Sequence, residues 1–125
     1  MRVLLDTHIY LWWLADSPSL SRSARKIIES AETVYVSSAS IWEAVIKIGL
    51  KRLDVEAEDL VSGIQESDFI ELPIKAEHTL SLLQLGNYHK DPFDRILVAQ
   101  AISEPVHLLS SDSVLAQYSK LVMIV

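Results

Sequence analysis

The chain has 125 residues, half of them hydrophobic and 22% charged, enough apolar side chain for one packed domain over residues 1–125 and too much for a disordered chain. It has no cysteine, which excludes disulfide scaffolds, thiol catalysis and Cys-ligated zinc or iron–sulfur centres, and leaves any metal to carboxylates, histidine or backbone oxygens. A formal charge of −6 leaves nucleic-acid binding to local rather than global positive charge.

Val3-Leu4-Leu5 opens the chain as a continuous apolar run, the pattern of a strand covered on both faces. The stretch Ile9 to Leu14 is apolar around its whole circumference, so it needs cover on more than one side. It is also far too short to span a bilayer, and with no targeting segment in view a soluble, cytoplasmic protein is expected. Ser21 to Ala31 has helical spacing behind a serine cap, and Thr33 to Val36 is a second strand. Ser40 to Gly49 sets Ile41, Ala44, Val45 and Ile48 on one helical face, with Gly49 as a stop. Asp54 to Gln65 is acidic at its start, as the positive end of a helix favours. Phe69 to Leu72 is a weak strand candidate that stops at Pro73. Lys75 to Leu85, Pro92 to Ser103 and the shorter Ser111 to Ser119 predict further helices, and Val106 to Leu109 and Leu121 to Val125 two more strands. The alternation predicts an α/β fold with a mostly parallel sheet, and the helices around residues 54–85 suggest a helical appendage.

The acidic residues stand where such a sheet would gather them. Asp6 follows the first strand, Glu43 is expected in the first turn of the helix after the second, and Asp112 follows Val106 to Leu109. In a parallel sheet these strand ends share one edge, where ligands bind. Asp94 starts the helix Asp-Arg-Ile-Leu-Val-Ala-Gln-Ala. Singly, each carboxylate also has a structural reading. Ser40-Ile-Trp-Glu43 fits a capping box, Asp91-Pro-Phe-Asp94 fits a helix start with Asp91 as cap, and Asp6 and Asp112 fit caps of the elements that follow them. Together they crowd. Like charges ~5 Å apart at an effective dielectric of ~20 repel by about 3 kcal/mol per pair, which a cation or protonation must relieve. An all-oxygen ligand set suits Mg²⁺ or Mn²⁺, and such a centre supports attack of water on a phosphodiester.

Asp6-Thr-His-Ile-Tyr-Leu-Trp-Trp-Leu, Ser37-Ser-Ala-Ser-Ile-Trp-Glu43, His89-Lys-Asp-Pro-Phe-Asp94-Arg-Ile-Leu-Val-Ala-Gln-Ala and Ser110-Ser-Asp112 resemble PIN domains, most closely the VapC-type toxins of bacterial toxin–antitoxin pairs. The likeness runs over the whole chain, and the Asp-Pro-Phe-Asp-Arg stretch is its most specific element. The resemblance implies a PIN-like fold with a central five-stranded, mostly parallel sheet flanked by helices. It implies a Mg²⁺- or Mn²⁺-dependent endoribonuclease acting on transfer or ribosomal RNA, a VapB-like antitoxin, and a homodimer or larger assembly with that antitoxin. Carried over residue by residue, the acidic quartet falls on Asp6, Glu43, Asp94 and Asp112 as catalytic and metal-binding residues, with Thr7 and Ser110 as hydrogen-bonding neighbours. Asp94 is preferred to Asp91 because it heads the Arg-Ile-Leu-Val-Ala-Gln-Ala helix. The alternatives are a housekeeping RNA-processing PIN nuclease without antitoxin and a non-catalytic PIN-like binding module.

Other residues stand out less sharply. His8 and His89 lie beside expected ligands, where a general base or a structural residue would both fit. His78 and His107 look like ordinary helix and strand residues. Arg95 is set to pair with a neighbouring carboxylate or to meet RNA phosphate. Trp12, Trp13 and Trp42 suit either an interface or the core. Arg22, Arg25 and Lys26, and then Lys47, Lys51 and Arg52, are the two basic clusters available to phosphate or to solvent. A phospho-aspartate mechanism at Asp6 is disfavoured, since His8 stands two residues on and Lys120 precedes the last strand rather than ending one.

Overall fold

The computed structural model describes all 125 residues. Five strands, β1 (Arg2–Leu5), β2 (Thr33–Ser37), β3 (Ile70–Leu72), β4 (His107–Ser110) and β5 (Val122–Ile124), form one sheet in the order β3-β2-β1-β4-β5. Every pairing is parallel, so the sheet is wholly rather than mostly so. Six α-helices connect them: α1 (Thr7–Leu14), α2 (Arg22–Ser30), α3 (Ser38–Gly49), α4 (Ala57–Glu66), α5 (Ala76–Leu80) and α6 (Pro92–Ser103). Short 3-10 turns at Ser81–Gln84 and Ser113–Gln117 complete the chain, and no helix is long and apolar enough to cross a membrane.

Strand alternation builds two cores. Val3 and Leu5 point to one side of the sheet with Ile9, Tyr10, Ala24, Ile28 and Ile64, while Leu4 points to the other with Ala39, Leu97, Val98, Ala101 and Leu115. Helices therefore cover both faces, and Val3, Leu4 and Leu5 of β1 are fully buried. The apolar helix α1 is covered within the chain. Its Tyr10 hydroxyl donates to the Leu60 carbonyl at 2.7 Å, and Leu14 lies against Gly63 of α4 so closely that a Cβ there would stand 2.9 Å from Leu14 Cδ2. Trp13 stacks near Phe69 and donates to Ser67 Oγ at 3.1 Å, which puts it in the fold's interior contacts; Trp42 stays 58% exposed.

Residues 54–85 are not an appendage. The weak run ending at Leu72 is a real edge strand, β3, paired in register with β2, and α4 is its crossover helix. The helix expected from Asp54 begins only at Ala57, and the one expected over Lys75 to Leu85 shortens to α5 plus a 3-10 turn. Lys75 backbone N–H is taken by the His78 ring three residues on, which fixes that start. His78, which the sequence presents as an ordinary helical residue, is fully buried.

Candidate metal centre

The strand order places the site. The chain builds outward from β1 to β2 and β3, then returns to lay β4 on the other side of β1, so β1 and β4 flank the point where the topology reverses. At such a point the following connections diverge and leave a crevice at the carboxyl ends of the strands. Asp6 leaves β1 there, and Ser110 and Asp112 leave β4 beside it.

Asp6 is nearly fully buried and both its oxygens are engaged. Oδ1 accepts from the Ile9 amide at 2.9 Å, capping α1, and Oδ2 accepts from the Ser110 hydroxyl at 2.5 Å. The capping and site readings of Asp6 thus hold together. Ser110 Oγ also accepts from the Asp112 amide at 3.0 Å, so one hydroxyl ties β1's carboxylate to the turn bearing Asp112. Asp112 in turn caps its 3-10 turn through Val114 N–H. Thr7 is buried next to Asp6, but its hydroxyl donates to Ser40 Oγ at 3.0 Å rather than to a carboxylate.

Glu43 differs from its expected place. The cap of α3 is Ser37, whose hydroxyl accepts from Ala39 N–H, so the helix starts two residues before Ser40 and Glu43 falls in its second turn. No capping box forms. Released from that duty, the carboxylate is buried, with Oε2 3.1 Å from Lys47 Nζ one turn on and Oε1 buried without any hydrogen-bond partner. An orphaned buried carboxylate oxygen is costly unless a cation meets it.

Asp94 rides in the first turn of α6, while Asp91 is the cap, accepting from Phe93 and Asp94 N–H at 2.8 and 3.3 Å. The division of labour between the two aspartates follows from that geometry. Burial, then the neighbouring Asp91, pushes the Asp94 carboxyl up to about 7, and Glu43 and Asp6 push the same way while His89 opposes them. Asp6 is also raised, chiefly by burial and less by Glu43, against the hydrogen bonds from Ser110 and Ile9 and the nearby His8. Glu43 thus bears on both Asp6 and Asp94, and Asp6 on Asp94.

The fourth carboxylate joins them through His89. Its Nε2 lies 3.4 Å from Asp94 Oδ2 and 3.2 Å from Asp112 Oδ2, and the three form a cluster of metal-ligand type. Arg95 takes no part in it. Instead Arg95 Nη1 donates to the Gly86 carbonyl and the Tyr118 hydroxyl at 2.9 and 3.1 Å and reaches the His89 carbonyl at 3.4 Å, so it fastens the loop before α6 rather than pairing with a carboxylate or facing phosphate. Sequence reasoning missed Tyr118, whose hydroxyl accepts from His89 N–H at 2.7 Å; no local pattern links residues 29 apart.

Asp94 and Asp112 stand with His89 in one group of metal-ligand spacing, while Asp6 and Glu43 lie outside that group and reach it through Ser110 and through their charge, and none of these donors is sulfur. The set fits a hard divalent cation. A cavity of about 700 Å³ lined in part by His8, Trp12, Lys47 and Arg52 opens between α1 and the start of α4, and none of the four carboxylates lines it. A second His–carboxylate group, Glu77, His78 and Glu104, lies apart between α5 and α6.

The model of the PIN domain family matches residues 3–121. A ribonuclease of Mycobacterium tuberculosis, VapC22, is 29% identical over 115 residues, 88% of this chain and 86% of that protein. Among solved structures, VapBC2 from Rickettsia felis bound to a promoter DNA fragment aligns with a TM-score of 0.72 at 17% identity, covering 100% of this chain and 99% of that one. A toxin–antitoxin complex from Klebsiella pneumoniae aligns at 0.66 and 18%, covering 97% and 95%. The chain belongs to the PIN-domain family.

Proposed function

We propose that this PIN-domain chain is a Mg²⁺- or Mn²⁺-dependent endoribonuclease, the toxin half of a VapBC-type pair. The observation that supports the reading is the metal-spaced group of His89, Asp94 and Asp112 at the carboxyl edge of the sheet, with the charge of Asp6 and Glu43 bearing on Asp94 and Glu43 Oε1 buried and unpaired. The bound cation supplies Lewis-acid activation of water and neutralises charge developing on the phosphodiester. The chain's own residues hold and orient it. Asp6 and Glu43 contribute buried carboxylates on rigid elements, Asp94 adds a third from the start of α6, and Asp112 closes the set from the turn after β4. Ser110 fixes Asp6 and Asp112 relative to each other, and Lys47 pairs with Glu43 Oε2, leaving Oε1 as the oxygen that would be offered to a cation.

The ribonuclease activity is supported by the relative named for it, which spans nearly the same length. Partnership with an antitoxin is supported by the folds it resembles, solved as toxin–antitoxin complexes.

Cleavage of defined transfer and ribosomal RNAs by the purified protein with Mg²⁺, Mn²⁺ or EDTA tests the reading. Discrete metal-dependent cuts are expected, and Asp6→Asn and Asp94→Asn should each lose at least about 100-fold in rate while remaining folded. Near-parental Mn²⁺-dependent cutting by either variant would refute the site assignment. Absence of cutting by folded, antitoxin-free parent would favour a PIN-like binding module.

A further inference from the structure

His89 sits between two of the four carboxylates, and three roles are open to an imidazole there: metal ligand, general base, or polar bridge. The ring's other nitrogen decides among them. Nδ1 accepts a hydrogen bond from the Asp91 backbone N–H at 3.0 Å, so it carries a lone pair and the single proton of the neutral ring is on Nε2. Nε2 is the atom facing Asp94 Oδ2 and Asp112 Oδ2. A ligand or a base needs a lone pair at that atom. Freeing one requires moving the proton to Nδ1, where it would collide with the Asp91 N–H, or rebuilding the loop.

The loop is built against such rearrangement. The Tyr118 hydroxyl accepts from His89 N–H at 2.7 Å and donates to the His89 carbonyl at 3.2 Å, gripping both backbone groups of this one residue. Arg95 Nη1 bonds that hydroxyl and the Gly86 carbonyl as well. Asp91, which supplies the deciding N–H, is itself pinned as the cap of α6. At 3.2 and 3.4 Å neither contact has the geometry of a directed hydrogen bond; Nε2 stands between the two oxygens without closing on either.

We propose that His89 is a positioning residue of the cation centre: its Nε2–H, held in that tautomer by the Asp91 amide, stands between one oxygen of Asp94 and one of Asp112, and the ring itself neither ligates the ion nor takes the proton of attacking water. This rests on the reading of the acidic cluster as a cation site. The bridge holds the α6 carboxylate and the β4-end carboxylate at a separation an ion can span, which without it would be set by their repulsion.

The test uses the RNA-free full chain and Mn²⁺ alone, with free Mn²⁺ followed by electron paramagnetic resonance. His89→Ala is expected to weaken Mn²⁺ binding about 10-fold, the size usual for groups that orient ligands. His89→Gln, which can place an amide N–H near the former Nε2, should stay within about 3-fold of the parent. Tyr118→Phe should weaken binding in the same direction by less, and add nothing to His89→Ala in the double variant, because both act through one bridge. Nitrogen NMR of the metal-free parent should find the His89 proton on Nε2, and pulsed resonance of bound Mn²⁺ should show no imidazole nitrogen coupling. These two parent measurements stand even where His89→Ala fails to fold.

Imidazole coupling to Mn²⁺, a proton on Nδ1, or unchanged or tighter Mn²⁺ binding by folded His89→Ala would each overturn the proposal while leaving the cation centre intact. A parent chain that binds no Mn²⁺ would overturn the cation centre, and this proposal with it.

Discussion

His78 and His89 are set into the chain by one local device, yet they end in opposite situations. Each ring accepts a nearby backbone N–H on Nδ1, from Lys75 at 2.9 Å and from Asp91 at 3.0 Å, and so turns a protonated Nε2 toward acidic side chains. His78 is fully buried and meets one carboxylate, Glu104 Oε2, at 2.6 Å, which fastens α5 to α6. His89 is about a quarter exposed and divides itself between two carboxylates, with Glu43 and Asp6 adding charge behind them. One donor to one acceptor closes a pair. Four carboxylates against the one cation Lys47 leave an excess of negative charge around His89. Both groups pair one histidine with two carboxylates, Glu77 and Glu104 in one and Asp94 and Asp112 in the other, so residue type alone does not separate them; the further charge of Glu43 and Asp6 behind the second does.

The largest effect that would sharpen this contrast is a pH dependence of the metal-free protein. Asp94 is raised from an ordinary 3.8 to about 7, so in the window between these values the folded state binds more protons than the unfolded state. The Asp94 contribution to stability is then fully present below pH 4, is lost as pH rises through about 7, and is gone above it. The loss is at most about 4 kcal/mol, from the size of the shift. Denaturant titrations at pH 4.5, 6 and 8 in EDTA should show the decline, Asp94→Asn should flatten most of it, and Mn²⁺ at pH 8 should restore the stability lost. A flat profile for the metal-free parent would mean that the carboxylates are not crowded, and the contrast with the closed pair would collapse.

Removing the closed pair should do the reverse, harming the fold and sparing the cation. His78→Ala deletes a fully buried ring, strands the Lys75 N–H and leaves Glu104 without its donor. We expect a cost of about 3 kcal/mol, a fall in Tm of roughly 10 °C, and Mn²⁺ affinity within about 2-fold of the parent below the transition. A large loss of Mn²⁺ binding by the folded variant would show that the two groups are coupled along α6.

Much of this contrast was hidden in the sequence, while the frame around it was not. Val3-Leu4-Leu5, Thr33 to Val36 and Val106 to Leu109 announce themselves because strands buried on both faces cannot spare a polar position. Once they are parallel, Asp6 and Asp112 must fall at one edge. Glu43 was expected in the first turn of its helix and stands in the second: Ser37 and Ser40 are both able to cap, and only the strand's end selects Ser37. The three-residue β3 was faint because an edge strand needs few residues and Pro73 follows it at once. The roles of His89, Tyr118 and Arg95 were illegible. They depend on a loop without periodicity meeting a residue 29 positions away, and on which ring nitrogen an amide happens to face.

The smallest expected effect concerns charge rather than volume at the closed pair. In Glu104→Gln the amide oxygen still accepts from His78 Nε2–H at nearly the same place, and only the negative charge is gone. The Glu104 side chain is about a quarter exposed, so solvent screens part of that charge. The substitution should cost about 1 kcal/mol, the difference between a charge-assisted and a neutral hydrogen bond, with no change in Mn²⁺ affinity. Asp112→Asn is the matching exchange at the open cluster, and there the order inverts. Stability should move little, because the amide oxygen can still cap Val114 N–H, while Mn²⁺ affinity should fall about 10-fold or more. Equal effects of the two exchanges on Mn²⁺ binding would break the distinction, because a carboxylate that only completes a pair and one that awaits a cation differ in what their charge is for.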